Sequence, residues 1–414
     1  MGTGAHELYT RFVILRKQYH CVFLITMGKR IYISILVLMT VCGNISAKGG
    51  IGNWIGKLGT FIDSMSVSGV DRRYIDSPEK PWQLIVQGNA SQSDLKMKAV
   101  LDGKAVFADE WGDIFWEPRI KTAPSVYTGI WAGYRGYGLG YSKNVGGDNG
   151  SIFKLGAMGG AYGVNFRIHK FQTDEPILKL KGYMPEWEEF EYPYSLTSPI
   201  KVRVLSFDGY YLFNGKHFSY AAAYDQSVIQ KRSAGSFMVG AMYYHSTIAY
   251  DEGYDADFIF YMNDIGRMKQ YQVSLGGGYA YNFVPCRGLL ISAMGMLMLT
   301  AYNRLDVWRY NSRFREDEIR IHSDPDTGFD DDLDLDDEET MKKYYSLWPL
   351  EGHEKTITHS RVIPIIDARL SVTYNLGDCF FNANAVLNDY RFKHERNSGS
   401  LTEWQVNASV GLRL

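Results

Sequence analysis

Residues 206–250 read SFDGYYLFNGKHFSYAAAYDQSVIQKRSAGSFMVGAMYYHSTIAY, and both ends of this stretch alternate with a period of two. In the first run Leu205, Phe207, Tyr211 and Phe213 fall on one face, with Ser206, Asp208 and Tyr210 on the other. In the second, Phe237, Val239, Ala241 and Tyr243 alternate with Ser236, Gly240 and Tyr244. Successive side chains of a strand point to opposite sides. An oily, aromatic row backed by a mixed row therefore marks a strand with one face on lipid or core.

The same alternation fills most of the chain from Trp82 onward. Strands are predicted near 82–91, 125–135, 137–143, 151–158, 161–170, 201–213, 235–249, 269–283, 288–302, 361–376, 379–392 and 403–414. Twelve is even, as in bacterial single-chain outer-membrane barrels; ten or fourteen strands would fit the same pattern. The connections sort by length. The links 92–124, 144–150, 171–200, 250–268, 303–360 and 393–402 are long or polar, whereas those around Gly136, Gly159-Gly160, Pro285-Cys286 and Gly377-Asp378 are tight turns. Short turns on one rim and long loops on the other is the barrel arrangement, with the short rim periplasmic. A soluble sandwich has no reason to sort its loops this way.

Composition agrees. A chain of 414 residues makes two ordinary soluble domains or one large barrel, and 30 Tyr and 42 Gly against 12 Pro favour many aromatic strands. A formal net charge of -2 gives nucleic acid nothing to bind. Beyond the N-terminal leader no run approaches the ~20 apolar residues of a spanning helix.

The beginning of the chain reads as an export signal. Met27, Lys29 and Arg30 open a charged region, Ile31 to Val41 is an apolar core, and Ile45-Ser46-Ala47 is a cleavage site. The expectation is a signal region over 1–47 with its true start at Met27, then a periplasmic leader over 48–80. Within that leader Trp54, Leu58, Phe61, Ile62 and Met65 recur at helical spacing. Cleavage would leave Cys286 and Cys379, both at tight turns of one rim. They can pair only if their Cα atoms lie within about 7 Å.

One link breaks the order: 214–234 is long where a short turn is due. Its sequence, within FNGKHFSYAAAYDQSVIQKRSAGSF, resembles the signature of a family known as domain of unknown function 4421. The similarity runs from about Asp71, in DRRYIDSPEKPWQLIVQGN, to the C-terminus and is strongest over QKRSAGSF. The resemblance implies an outer-membrane-barrel-like protein of Gram-negative bacteria and implies no activity. Lys216, His217, Gln226, Gln230, Lys231 and Arg232 are the candidate functional residues of this segment. It would plug the lumen, brace the rim or meet a periplasmic partner; the plain alternative is a structural loop. As a plug it would be anchored by its basic cluster and packed on Met294, Met296 and Met298, the apolar inner row of one strand.

The other inner rows are polar. Asp367, Arg369, Ser371 and Asn375 alternate with Ile366, Leu370, Val372 and Tyr374, and Asn382, Asn384 and Asn388 with Phe381, Ala383, Ala385 and Leu387. Asp208, Asp367, Arg369 and Arg413 form a candidate luminal ion-pair network, bracing the barrel or touching a solute. The final strand alternates from Trp404 to Leu414 and resembles the C-terminal signal read by barrel-insertion machinery, with Leu414 where Phe is usual. The acidic run DPDTGFDDDLDLDDEE over 324–339 lacks the spacing of a twelve-residue calcium loop and reads as a solvated outer loop.

No catalytic, cofactor or metal motif emerges. His217 and Ser219 share a face in an extended segment, but no third group orients the base. The sequence thus predicts an all-β, antiparallel transmembrane β-barrel over 81–414 in the outer membrane, contacting lipid and lipopolysaccharide, with no nucleic-acid partner. Two functional classes remain: a plugged channel or transporter for small solutes, and an envelope protein presenting extracellular loops. A lipid-modifying enzyme is a third.

Overall fold

The computed structural model describes residues 69–414 except 103–112, 148, 174–175, 181–189, 194–195, 197, 251–257, 260–261, 263, 312–350, 360–362 and 395–396. The signal region, the amphipathic stretch 54–65 and the acidic run 324–339 lie outside the described residues.

Twelve strands close into an antiparallel barrel. They are β1 (Trp82–Asp102), β2 (Ser125–Tyr134), β3 (Tyr137–Gly146), β4 (Ser151–Met158), β5 (Tyr162–Thr173) and β6 (Ile200–Leu212), followed by β7 (Ala234–Ala249), β8 (Ile265–Cys286), β9 (Leu289–Asn311), β10 (Pro364–Leu376), β11 (Cys379–His394) and β12 (Asn397–Arg413). Each pairs with its neighbour in sequence, β6 with β5 and β7. Closure comes from β12 on β1, in register from Ser398↔Lys98 to Arg413↔Gln83. A closed sheet has no edge, so every backbone donor in the wall finds a partner without water.

Exposure follows the sequence period. On β12, Val410 and Leu412 are 50% and 41% exposed while Arg413 is 1% exposed. Around the barrel, Leu84, Ile130, Leu139, Phe207, Phe237, Leu275, Leu297, Leu370 and Phe381 all point outward. Buried positions of the same strands hold Gln83, Asn89, Asp208, Gln272, Asn282, Asp367, Asn382 and Glu403. This is a soluble protein turned inside out. In water each large outward side chain would forgo ~1.5–3 kcal/mol of burial; in hydrocarbon it forgoes nothing. The fold is a transmembrane β-barrel.

Turn chemistry sets the short rim. Arg135 (φ 50) and Gly136 (φ 86) take the positive φ pair of a type I′ hairpin, and Gly288 (φ 86) and Gly377 (φ 62) serve the corresponding turns. Cys286 and Cys379 stand at this rim as exposed free thiols.

The other rim departs from the expected link boundaries. β1 continues to Asp102 and pairs there with Asp113–Trp116 and Arg119–Lys121. β9 runs to Asn311, and Glu351–His359 returns along it from Arg304↔His359 to Asn311↔Glu351. The stretches read as links 92–124 and 303–360 therefore begin and end as sheet. A barrel strand needs only about 9–11 residues to cross a membrane, whereas β1, β8 and β9 have 21, 22 and 23. Beyond the membrane edge the outward face need not be oily, so the alternation fades while the hydrogen-bond ladder continues.

Candidate functional site

After β6 ends at Leu212 the chain does not turn directly into β7. It forms a turn over 213–217, a short helix α1 (Tyr220–Tyr224) and a two-residue strand Ile229–Gln230, then enters β7. Ser219 caps the helix: it is extended (φ -120), and its hydroxyl accepts from the Ala222 N–H at 3.2 Å. Three small alanines let the helix fit a narrow space, and Phe218, Tyr220, Ala221, Ala222 and Ala223 are all buried.

Its partners show where that space is. Asn282 on β8 donates to the Ser219 carbonyl at 2.8 Å. On β10, Arg369 donates to the Tyr220 hydroxyl at 2.7 Å and Ser371 to the Ala223 carbonyl at 2.7 Å. Asn382 on β11 reaches the same carbonyl at 3.1 Å, and Arg413 on β12 donates to the Gln226 carbonyl at 2.9 Å. The inner faces of four strands converge on one segment, so the segment lies inside the barrel. The helix also packs on β5 and β9. On β9 Met294, Met296 and Met298 are buried; a Cβ added at Gly240 on β7 would sit 3.0 Å from the Met296 methyl.

The six residues singled out in the sequence divide. Gln226 and Gln230 are buried and structural. Gln230 Oε1 accepts from the Ser219 N–H at 2.9 Å and from Asn282 at 3.1 Å, while its Nε2 donates to the carbonyls of His217 and Arg232. Gln226 sits at φ 59, ending the helix as a glycine would, and its side chain donates to the Ala223 carbonyl at 2.8 Å. Lys216, Lys231 and Arg232 are exposed. The segment is held inside by amides, hydroxyls and two wall arginines, and its own basic cluster stays at the rim. There Lys231 lies 3.8 Å from Asp76, and Arg232 sits over the Tyr74 ring.

A latch from the start of the described chain covers this rim. Ile75–Asp76 pairs with Ile229–Gln230, the Asp71 N–H donates to the Lys216 carbonyl, and Tyr74 packs on His217 with centroids 4.5 Å apart. The Arg73 guanidinium beside Asp71 holds its carboxyl well below the usual range. His217 bonds Asn214 through Nδ1 and approaches Asp71 through Nε2 at 3.5 Å. No hydrogen bond joins it to Ser219, whose hydroxyl is taken by the cap.

Deeper in the lumen, three of the four network residues come together. Asp367 receives two hydrogen bonds from Arg369, at 3.0 and 2.9 Å, and one from the Tyr210 hydroxyl at 2.7 Å. Arg369 also bonds the Tyr210 hydroxyl and lies 3.5 Å from Asp208, which accepts from Asn165 at 2.7 Å. β6 and β10 are not neighbours, so this group spans the lumen. Arg413 stands apart, bonding Asn375 at 2.7 Å and lying over the Phe380 ring.

A second strap was not anticipated. Glu403 on β12 accepts from Arg167 at 2.7 Å and approaches His169 Nδ1 at 3.1 Å, both on the distant β5; His169 Nε2 meets the Tyr127 hydroxyl at 3.0 Å. Nearby Tyr244 on β7 stacks on Tyr390 of β11 with centroids 3.7 Å apart. The signal was present: Arg167 and His169 share the inner parity of an alternating run, as does Glu403 of the last strand. Sequence alone cannot say which distant strands meet across a lumen. Between the inner segment and this upper strap lies a cavity of about 170 Å³, lined among others by Trp131, Lys154, Asn384 and Asp225.

The family described as a domain of unknown function, DUF4421, matches residues 116–413. The chain belongs to that family. The match covers every barrel strand but β1, and it includes the whole inner segment that carried the resemblance. The sequence finds no match among curated proteins. Solved structures with similar folds include the outer membrane protease OmpT from Escherichia coli (6% identity, TM-score 0.32, 82% of this chain and 98% of that one). The outer membrane protein OprG from Pseudomonas aeruginosa gives 10% identity and TM-score 0.28 over 81% and 98%. The toluene transporter TodX from P. putida gives 8% and 0.25 over 82% and 91%. At such identities and scores these neighbours carry no argument about activity, and the fold rests on the strand ladder itself.

Proposed function

We propose that this protein is an outer-membrane channel for small polar solutes, held shut by residues 214–233 acting as a plug. The observation that carries the reading is the inner segment itself: a folded-back link, bonded to the inner faces of β8, β10, β11 and β12, with a polar cavity directly above it. A barrel needed only as a scaffold could fill its lumen with side chains. A separate 20-residue insert, whose own groups in the docking hydrogen bonds are carbonyls, amides and hydroxyls, can leave without breaking an ion pair inside the lumen. Outer-membrane location follows from the apolar exterior and the closed sheet, since single-chain barrels with short turns on one rim and long links on the other belong to that membrane. Deleting 216–229 should raise single-channel conductance in planar bilayers while the heat-modifiable gel mobility of a closed barrel is retained.

The envelope-protein reading is favoured by one feature, the two polar straps that join non-neighbouring strands across the lumen. If the deletion leaves conductance at the wild-type level, the straps close the barrel by themselves and the structural role stands instead.

A further inference from the structure

Trp131 occupies an unusual seat. It points into the lumen from β2, and the inner positions beside it on β3 and β4 are glycines. A Cβ added at Gly138, Gly140 or Gly156 would lie 2.6, 2.7 or 3.0 Å from the indole ring. The ring therefore lies flat across two neighbouring strands, one face against the glycine bed and the other toward the cavity it lines. Its Nε1–H is buried and has no acceptor.

The next group along the same row is Lys154. Register places Trp131 opposite Gly140, Gly140 opposite Lys154, and Lys154 opposite Arg167. Strands are ~4.8 Å apart, so the ring reaches over the glycine row to the lysine's own strand. Lys154 faces the cavity, and among the described residues it has neither an ion pair nor a hydrogen bond. Glu403 is already engaged by Arg167 and His169, and Asp208 by Asn165. Arg167 Nε, lining the same cavity, also lacks an acceptor. Lys154 and the buried Arg167 Nε are thus donors left unpaired in a wall that also carries Asp208 and Asp225. Leaving such groups unpaired away from bulk water is costly.

The wall carried by β11 and β12 is amide. Asn407 donates to Asn384 at 2.7 Å and Gln405 to Asn407 at 3.0 Å. Asn384 donates in turn to Asn382 at 2.8 Å and Gln405 also to Asn89 at 3.3 Å; a carboxamide has two protons and two lone pairs, so Asn384 and Asn407 keep one of each and Gln405 keeps its Oε1. The remaining capacity faces the cavity, suited to a ligand that offers hydroxyls as donors and acceptors together.

We propose that the cavity binds one sugar-acid unit: a pyranose ring stacked on Trp131, its carboxylate on Lys154 and Arg167, its hydroxyls on the amides of Asn384, Gln405 and Asn407. A cavity of about 170 Å³ is many times the space that a single water needs. An aromatic face with convergent polar groups at its margin is the usual make-up of a small-molecule site. The charge-assisted contact with the carboxylate supplies selectivity over neutral sugars. This assigns a solute class to the channel proposed above; it rests on that reading for passage, while the binding itself does not.

The test is calorimetric titration of the purified full-length protein in a zwitterionic detergent, since sugar detergents would compete. D-glucuronate, D-glucose and acetate are the probes. Glucuronate should bind at least tenfold more tightly than either of the others. Lys154→Met should bring glucuronate down to the glucose value, Lys154→Arg should keep the preference, and Trp131→Ala should weaken both sugars. Heat-modifiable mobility checks that each variant is folded. The site does not exist if no probe binds, if glucuronate binds no better than glucose, or if Lys154→Met leaves their ratio unchanged. Because binding needs no opening, a silent 216–229 deletion with intact glucuronate binding would sink the channel and keep the site. An opened channel that ignores glucuronate would do the reverse.

Discussion

Asp225 is the residue on which the stability of the plug turns. It follows the helix directly, is 3% exposed, and touches the hydroxyl and N–H of Ser227, while its Oδ2 has no partner. Burial pushes its carboxyl up to about 6 from an ordinary value of 3.8, and the Ser227 hydrogen bonds offset only part of that. The sign follows from linkage. A docked-state pKa above the undocked one means that the docked plug binds the proton more tightly. Ionisation therefore penalises docking fully above about pH 6, and the penalty fades as pH falls toward 3.8. Such a difference between the docked and free carboxyl corresponds to ~3 kcal/mol at most. Amide exchange over 218–226, corrected for the intrinsic rate, should show stronger protection at pH 5 than at pH 7.5. Asp225→Asn should remove the difference and give the pH 5 protection at both values. Equal protection of the wild type at both pH values would mean that solvent reaches the carboxylate. None of this was legible in the sequence, where Asp225 is one acid in a polar link and only the fold reveals that the link is buried.

At the scale of elements, the strands were legible because each is a period-two pattern against lipid, and the twelve runs of alternation are the twelve strands of the barrel. The outer ends were not, because above the membrane β1 and β9 keep their ladders and lose their oily face. The odd length of 214–234 was visible, but its mode of attachment was not. Charged residues draw the eye in a sequence, yet a charge moved into a lumen loses hydration that its partner must repay. The buried contacts fell instead to wall residues, Arg369 and Arg413 together with Asn282, Ser371 and Asn382, and the three neutral ones look like any other luminal polar residue when read along their strands. Asn282→Ala and Asn382→Ala strip hydrogen bonds from the Ser219 and Ala223 carbonyls. Asn282→Ala leaves the Ser219 carbonyl without its side-chain donor and should cost ~1–3 kcal/mol of docking; Asn382→Ala should cost ~0.5–1.5 kcal/mol, because the Ala223 carbonyl keeps Ser371 and Gln226. Together they should produce spontaneous channel openings in bilayers. The pair Lys231→Ala and Arg232→Ala, at the exposed rim, should leave the recordings as in the wild type. Openings caused by the basic pair and not by the asparagines would return the anchor to the rim.

For the molecule as a whole, the open question is which way the barrel points. The start of β1, the end of β12, the tight turns at Gly136, Gly288 and Gly377 and the plug all share one rim. Single-chain outer-membrane barrels keep short turns on the periplasmic side, so the plug should close the inner mouth and the link between Asn311 and Glu351 should lie outside the cell. That link carries the acidic run from Asp324 to Glu339, and a block of like charge at that density should keep to water and admit protease. The plug, with residues 220–223 of its helix buried and Ile229–Gln230 paired to Ile75–Asp76, offers a protease little extended exposed segment. Protease added to intact cells should therefore cleave within 312–350 and leave two fragments joined at the barrel, separable only after boiling. The peptide bonds of 214–233 should survive until the outer membrane is permeabilised and the plug displaced. Cleavage at the plug rim in intact cells, with the acidic link protected, would invert the barrel. The cavity above the plug would then open toward the periplasm, and solute would have to enter from within.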